Sequence, residues 1–310
     1  KAFLDESFFQ TNYMHTKIES LSFQHWDADR FVNDSTIHLQ IIRVQAPRLE
    51  IDRDKTHPFY SSKIKLLPTN AFQKLGMRFN VDSLQFQNGN IVYTEKSKVT
   101  SKEGSIHFTM VEGLVRNIKN IDLEKHDTLF IRAAARFLDS AKVDLRVRES
   151  YQDTLAGFLM TTQVSPFHTS ILNPILVPLV SVKFESGFID TLQMHALGRE
   201  HLSLGRMKFL YHDMKVSFLD QYDTSRHSIK NYILKVAANT LVVRTNNKKR
   251  IGDVFEVRDR HRAVFQYWVK MILSGVTTSV GAKSNRSQLK KYLKELNTRK
   301  LPPIEEPLAG

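Results

Sequence analysis

The chain has no cysteine in 310 residues. That excludes a disulfide framework, a thiolate-held zinc or iron–sulfur centre and a thiol nucleophile. A chain that folds in an oxidising compartment can dispense with cysteine, so the absence leans toward export. Glycine is scarce, at 12, and none of it opens a phosphate-cradling GxxxxGK[ST] loop or a GxSxG elbow. HxH pairs, HExxH and clustered carboxylates are missing too. These gaps predict no catalytic residue, no metal and no cofactor. Long apolar runs are also lacking. The longest stretch free of Asp, Glu, Lys and Arg, 154–182, is broken by Pro166, Pro174 and Pro178 and carries Gln163, His168 and Asn173, so it does not read as a membrane span. It reads as a strand over 155–162 and a short helix near 166–180, opening at Ser165 with Pro166 in first position. The chain starts at Lys1 rather than Met, and the expectation is a fragment or processed chain.

What is present is a sizeable apolar fraction, 41% with 20 Phe, and a net charge of +13 from 45 Lys+Arg against 32 Asp+Glu. The first rules out a disordered polymer. The second concentrates at Lys248, Lys249 and Arg250, at Arg258, Arg260, His261 and Arg262, and at Lys290, Lys291 and Lys294. No nucleic-acid module with interleaved aromatics surrounds them, so nucleic acid is not an expected partner. Lys248, Lys249, Arg250, Lys290 and Lys291 are candidates for an anionic membrane surface, the alternative being a solvated face.

Three segments share one rule: branched apolar, acid, hydroxyl, Leu, any, large apolar, polar. They are IESLSFQ at 18–24, VDSLQFQ at 81–87 and IDTLQMH at 189–195. Each precedes a second related strand, at 36–39, 105–108 and 206–209, which predicts repeat units near 18–53, 81–120 and 189–219. Period-2 alternation dominates between them. Val143, Leu145 and Val147 alternate with Asp144, Arg146 and Arg148, and Leu129 and Ile131 begin the same pattern one strand earlier. A hairpin turn is predicted at Asp139–Ala141 and another at Asn88, Gly89 and Asn90. His38 and His107 fall on polar faces as solvated strand histidines.

Helices are few. One is predicted near 69–75. An amphipathic helix is predicted over 262–276, with Phe265, Trp268, Val269 and Ile272 on its apolar stripe. A basic helix over 287–297 precedes a Pro-rich tail from Pro302. The expected fold is mostly β: an elongated, curved antiparallel sheet over 1–280, a groove of repeated strand units with a few short helices, then a basic helix and tail over 281–310. Ile106, Phe108 and Met110 share one face, as do Met207, Phe209 and Tyr211. With Leu129, Ile131, Val143, Leu145 and Val147 they are the groove candidates. Such a face needs a second sheet, helices or an apolar ligand against it. A trough filled by acyl chains and a closed sandwich both satisfy that. An outer-membrane barrel is not expected, because basic clusters and helices interrupt the strands.

The run from Leu67 and Pro68 to Leu75, then VDSLQFQNGNIVY at 81–93 and Gly104 to Phe108, resembles the repeating unit of AsmA-like envelope proteins, the TamB-related family. Leu172, Asn173, Pro174 and Pro178, followed by Ser186, Gly187, Phe188, Ile189 and Asp190, is similar to a carboxy-proximal segment of the Bacteroidota members. The resemblance covers most of 15–280. It implies a non-enzymatic periplasmic β-groove, tethered to the inner membrane by an amino-terminal helix preceding this sequence. The implied role is phospholipid transport or outer-membrane biogenesis and maintenance, with phospholipid or another acyl-chain ligand as partner. Many relatives are far longer, so 310 residues would be one segment of such a groove. The alternative is a periplasmic β-sandwich scaffold or protein-interaction module without lipid.

Overall fold

A computed structural model describes residues 4, 6–153, 156–219, 244–281 and 285–299. The chain is mostly β, built as one curved, open sheet of thirteen strands with a few short helices. In chain order the strands are β1 (Asn12–Lys17), β2 (Ser20–Trp26), β3 (Thr36–Gln45), β4 (Arg48–Asp54), β5 (Arg78–Lys96), β6 (Glu103–Lys119), β7 (Thr128–Phe137), β8 (Ala141–Ser150), β9 (Phe158–Val164), β10 (Phe167–His168), β11 (Val182–Gly198), β12 (Leu202–Phe218) and β13 (Ile251–Val257). The helices are α1 (Ala28–Asp34), α2 (Pro68–Gln73), α3 (Asn173–Val180), α4 (Val264–Ser279) and α5 (Arg286–Arg299). The Pro-rich tail lies outside the described residues.

From β5 to β9 and on through β11, β12 and β13 the sheet is an antiparallel meander. At the other end it departs from the antiparallel expectation: β3 and β4 both run parallel to β5. The reason is the connection. β4 reaches β5 through residues 55–77, a crossover long enough to return the chain to the starting end, as parallel pairing requires.

The strand pairs β1/β2 and β3/β4 are each one long strand broken in the middle, and the breaks align. Ala46, Asn88 and Met110 all have φ near +50° (46°, 53° and 51°), and register shifts flank Gly89 on β5 and interrupt β6 between Thr109 and Glu112. The backbone bonds Glu19 N to Gln45 O, Ala46 N to Gln87 O and Asn90 N to Pro47 O tie this line across the strands. A row of bulges bends each strand at the same level and creases the sheet. Hence the hairpin predicted at Asn88–Asn90 is a bulge inside the continuous β5. Gly89 suits the tight spacing there, since a Cβ would stand 3.2 Å from both Pro47 Cγ and Val111 Cβ. The hairpin at 139–141 does form between β7 and β8.

Two devices hold the curved sheet. Helix α3 packs on both β6 and β11, spanning the two walls. Its start also differs from expectation: residues 167–168 pair with β11, a 3₁₀ turn occupies Thr169–Leu172, and α3 begins only at Asn173, with Pro174 in the first turn. Asn173 fixes this start by bonding Phe184 N and O through its side chain, at 2.8 and 2.9 Å. The second device is the crossover segment 55–67, which runs as a strap between the walls. Lys65 N donates to Arg260 O beyond β13, and the Arg258 guanidinium donates to Lys65 O.

The three related segments all contribute to strands, but their partners differ. Leu21 faces Val44, Leu84 faces Val115 and Leu192 faces Phe209. Only in the third does the first element lie directly against its own second element.

Candidate functional site: an apolar sheet face open at one end

Cross-strand partners share a face of a sheet, so the registers trace one row across ten strands. Phe23 faces Ile42, which faces Leu84, then Val115, Ile131, Val147, Met160, Ala196, Gly205 and Val254. A second row beside it begins Leu21, Val44, Phe86 and ends Met194, Met207, Gly252. These rows are the concave, apolar face. The row between them carries Ser22, Arg43, Gln85, Arg132, Arg146, Thr161, His195 and Arg206 on the outer face.

Burial along the inner row changes from one end to the other. Phe23 is 57% exposed and Leu21 50%, Ile42, Leu84, Val115 and Ile131 are half-buried, and Val147 and Met160 are 1% exposed. Helix α4 accounts for the covered end. It lies across β11, β12 and β13, with Met271 fully buried and Tyr267 set edge-on against Phe158 at 5.9 Å. Helix α2 closes another part, with Leu67 before it fully buried.

Ten of the eleven groove candidates lie on this inner face. Leu129, Val147, Met207, Phe209 and Tyr211 are buried among the protein's own side chains, so at this end the face is filled core and not an open trough. Ile106, Phe108, Ile131, Val143 and Leu145 are half-buried. Met110 is the exception: the positive φ at the bulge turns it away from Ile106 and Phe108 and leaves it exposed. Within the repeat segment 18–24, the exposed Leu21 and Phe23 are functional candidates that the sequence signals only by their alternation with Ser22 and Gln24.

Of the stripe expected on α4, Trp268 and Ile272 pack against the core, Trp268 standing 6.4 Å from the Phe158 ring. Phe265 is exposed, while Trp268, Val269 and Ile272 are half-buried. The deepest part of its packed face is Tyr267, Met271, Ser274, Gly275 and Thr278. Small residues let the helix approach closely: Ser274 Oγ bonds both Phe255 N and O, at 3.1 and 2.8 Å, and a Cβ on Gly275 would lie 2.8 Å from Met207 Cβ. Lys248 and Lys249 are exposed and Arg250 half-exposed in the turn before β13; Lys290 and Lys291 are exposed on α5. That helix docks on β13 through Tyr292, whose ring stands 6.0 Å from Phe255.

A buried ionic knot, which alternation alone did not single out, closes the α2 end. Glu149, 1% exposed, accepts from Thr69 N and Oγ1 at 3.1 and 2.6 Å, and its Oε2 has no hydrogen-bond partner among the described residues. Burial pushes its carboxyl up to about 7, against the hydrogen bonds from Thr69 and the charge of Arg258. Arg258 is bound to Glu200 at 2.7 Å and Arg260 to the same carboxylate at 2.9 Å. Asp153 pairs with Arg199, whose carbonyl accepts from Tyr267 Oη at 3.2 Å. His107 reaches Asp139 at 2.8 Å, and His38 lies 3.9 Å from Asp27. Among the described residues no group of acids and histidines is arranged to hold a metal, and no helix is long and apolar enough to cross a membrane.

No family model, curated protein or solved structure matches this chain.

Proposed function

We propose that the chain is a non-enzymatic, lipid-binding segment of a periplasmic protein of the AsmA-like kind, taking part in phospholipid transport or outer-membrane maintenance. The observation that carries this reading is the inner apolar row, uncovered at Leu21 and Phe23 and continuous with half-buried Ile42, Leu84 and Val115. Each acyl CH₂ laid on it would contribute about 0.8 kcal/mol, and no catalytic group is needed. Acyl chains are assigned to the β2–β3–β5 end, because α4 already occupies the other. The basic residues of the β13–α5 edge suit an anionic headgroup layer.

The filled core behind Val147, Met160 and Met207 favours a second reading, a scaffold or protein-interaction module with no lipid. Native mass spectrometry of gently purified protein separates the two. Co-purifying phospholipid that is lost in Phe23→Lys supports the lipid reading; a lipid-free spectrum for this chain and for a longer one overturns it.

A further inference from the structure

The strap and the two walls meet at a charge imbalance that the apolar face does not explain. Gln10 Nε2 donates to the carbonyls of Lys55 (3.3 Å) and His57 (2.9 Å) on the strap. That fixes the amide, and its oxygen points the other way. There it accepts from Arg53 Nη2 and from Arg262 Nη1, each at 3.2 Å. Guanidiniums from opposite walls of the sheet thus converge on one neutral oxygen, within two hydrogen-bond lengths of each other.

Neutralisation is incomplete. Among the described residues no carboxylate forms an ion pair with Arg53, and its Nε is buried with no acceptor. Arg262 has Asp259 at 3.4 Å, while its other side lies over the Phe59 ring, 3.3 Å from the centroid. Arg53 also donates to the Tyr93 hydroxyl, which itself donates to Glu95 Oε2 at 2.6 Å, and that carboxylate takes Lys55 at 2.7 Å, so the nearest further acceptors are shared. Burial, and then the charge of Arg53, hold the Arg262 guanidinium below its ordinary range. Paired guanidiniums short of acceptors fit a tetrahedral oxyanion, which accepts two forked donors at once. An apolar flank begins beside Gln10 in the chain: the exposed rings of Phe9 and Tyr60, 5.3 Å apart.

We propose that Arg53 and Arg262, presented by Gln10, bind a phosphate group, either free or as the headgroup of a lipid. The assignment rests on this geometry and stands whether or not the β2–β3–β5 face takes up acyl chains. Phosphate oxygens would supply acceptors beyond Gln10 Oε1, the Tyr93 hydroxyl and Asp259, and Phe9 and Tyr60 would favour a phosphate carried on an apolar body.

Isothermal titration of the whole chain with inorganic phosphate and with monomeric dihexanoyl phosphatidate tests the site. Saturable binding that weakens about tenfold or more in Arg53→Gln and in Arg262→Gln is expected, since each removes a charge-assisted contact. Tighter binding of phosphatidate identifies the headgroup as the source, and equal binding identifies free phosphate. Gln10→Glu guards against misfolded arginine variants, because it keeps both guanidiniums and places a carboxylate between them; phosphate binding should be lost. Absence of binding by both probes at millimolar concentration overturns the proposal. So does binding that persists in Gln10→Glu or falls as much in Lys291→Gln as in Arg53→Gln.

Discussion

Glu149 makes the fold sensitive to pH in a direction opposite to most carboxylates. Its carboxyl ionises at about 7 in the folded chain, against 4.5 when solvated. The folded state therefore keeps this proton to higher pH than the unfolded state. The stabilisation is fully present below pH 4.5, falls as pH rises while only the unfolded chain is ionised, and is gone above about 7. A difference of about 2.5 units corresponds to about 3 kcal/mol, undiminished by solvent because the residue is 1% exposed. In Glu149→Gln the amide oxygen can still accept from Thr69, and nothing ionises. Urea unfolding of both proteins between about pH 5 and about pH 8 reads the effect, and contributions common to the two proteins cancel in the difference. Wild type is expected to lose about 2–3 kcal/mol more than Glu149→Gln across that interval. Parallel profiles would refute the burial argument, as would a wild type that gains on the variant with rising pH.

Gly275→Ala places a methyl 2.8 Å from Met207 Cβ and should cost about 1–3 kcal/mol by overpacking, seen as a lowered urea midpoint with an unchanged slope. Phe23→Lys should reduce binding of an acyl probe while shifting stability by less than about 1 kcal/mol, because the ring is mostly solvated; equal losses in both would remove the apolar row from the functional reading. Tyr151→Phe deletes a hydroxyl that donates to Asn117 O at 2.6 Å and accepts from Lys119 N at 3.2 Å, with an expected loss of about 1–3 kcal/mol by chemical denaturation. Lys290→Glu with Lys291→Glu should abolish sedimentation with anionic vesicles and leave the melting temperature in place, if the exposed face of α5 meets headgroups.

Local alternation was enough to place the strands around Val143, Leu145 and Val147, because a period of two puts every second side chain on one face whatever the partner strand is. The absence of catalytic motifs was likewise a property of composition, as were the basic clusters. Features that depend on distant partners were not readable in this way. Asn88 and Gly89 tolerate positive φ in a turn and in a bulge alike, and the neighbouring breaks at Ala46 and Met110 make the bulge part of a crease. The parallel pairing of β3 and β4 follows from where the strap carries the chain. On α4 the large apolar residues Trp268 and Ile272 do pack against the core, but the close approach of Gly275 to Met207 and the bonds of Ser274, which set the deepest contact, carry no signal in an apolar stripe. The burial of Glu149 and the meeting of Arg53 with Arg262 arise from curvature, since only a bent sheet brings its two walls within reach of the same side chains.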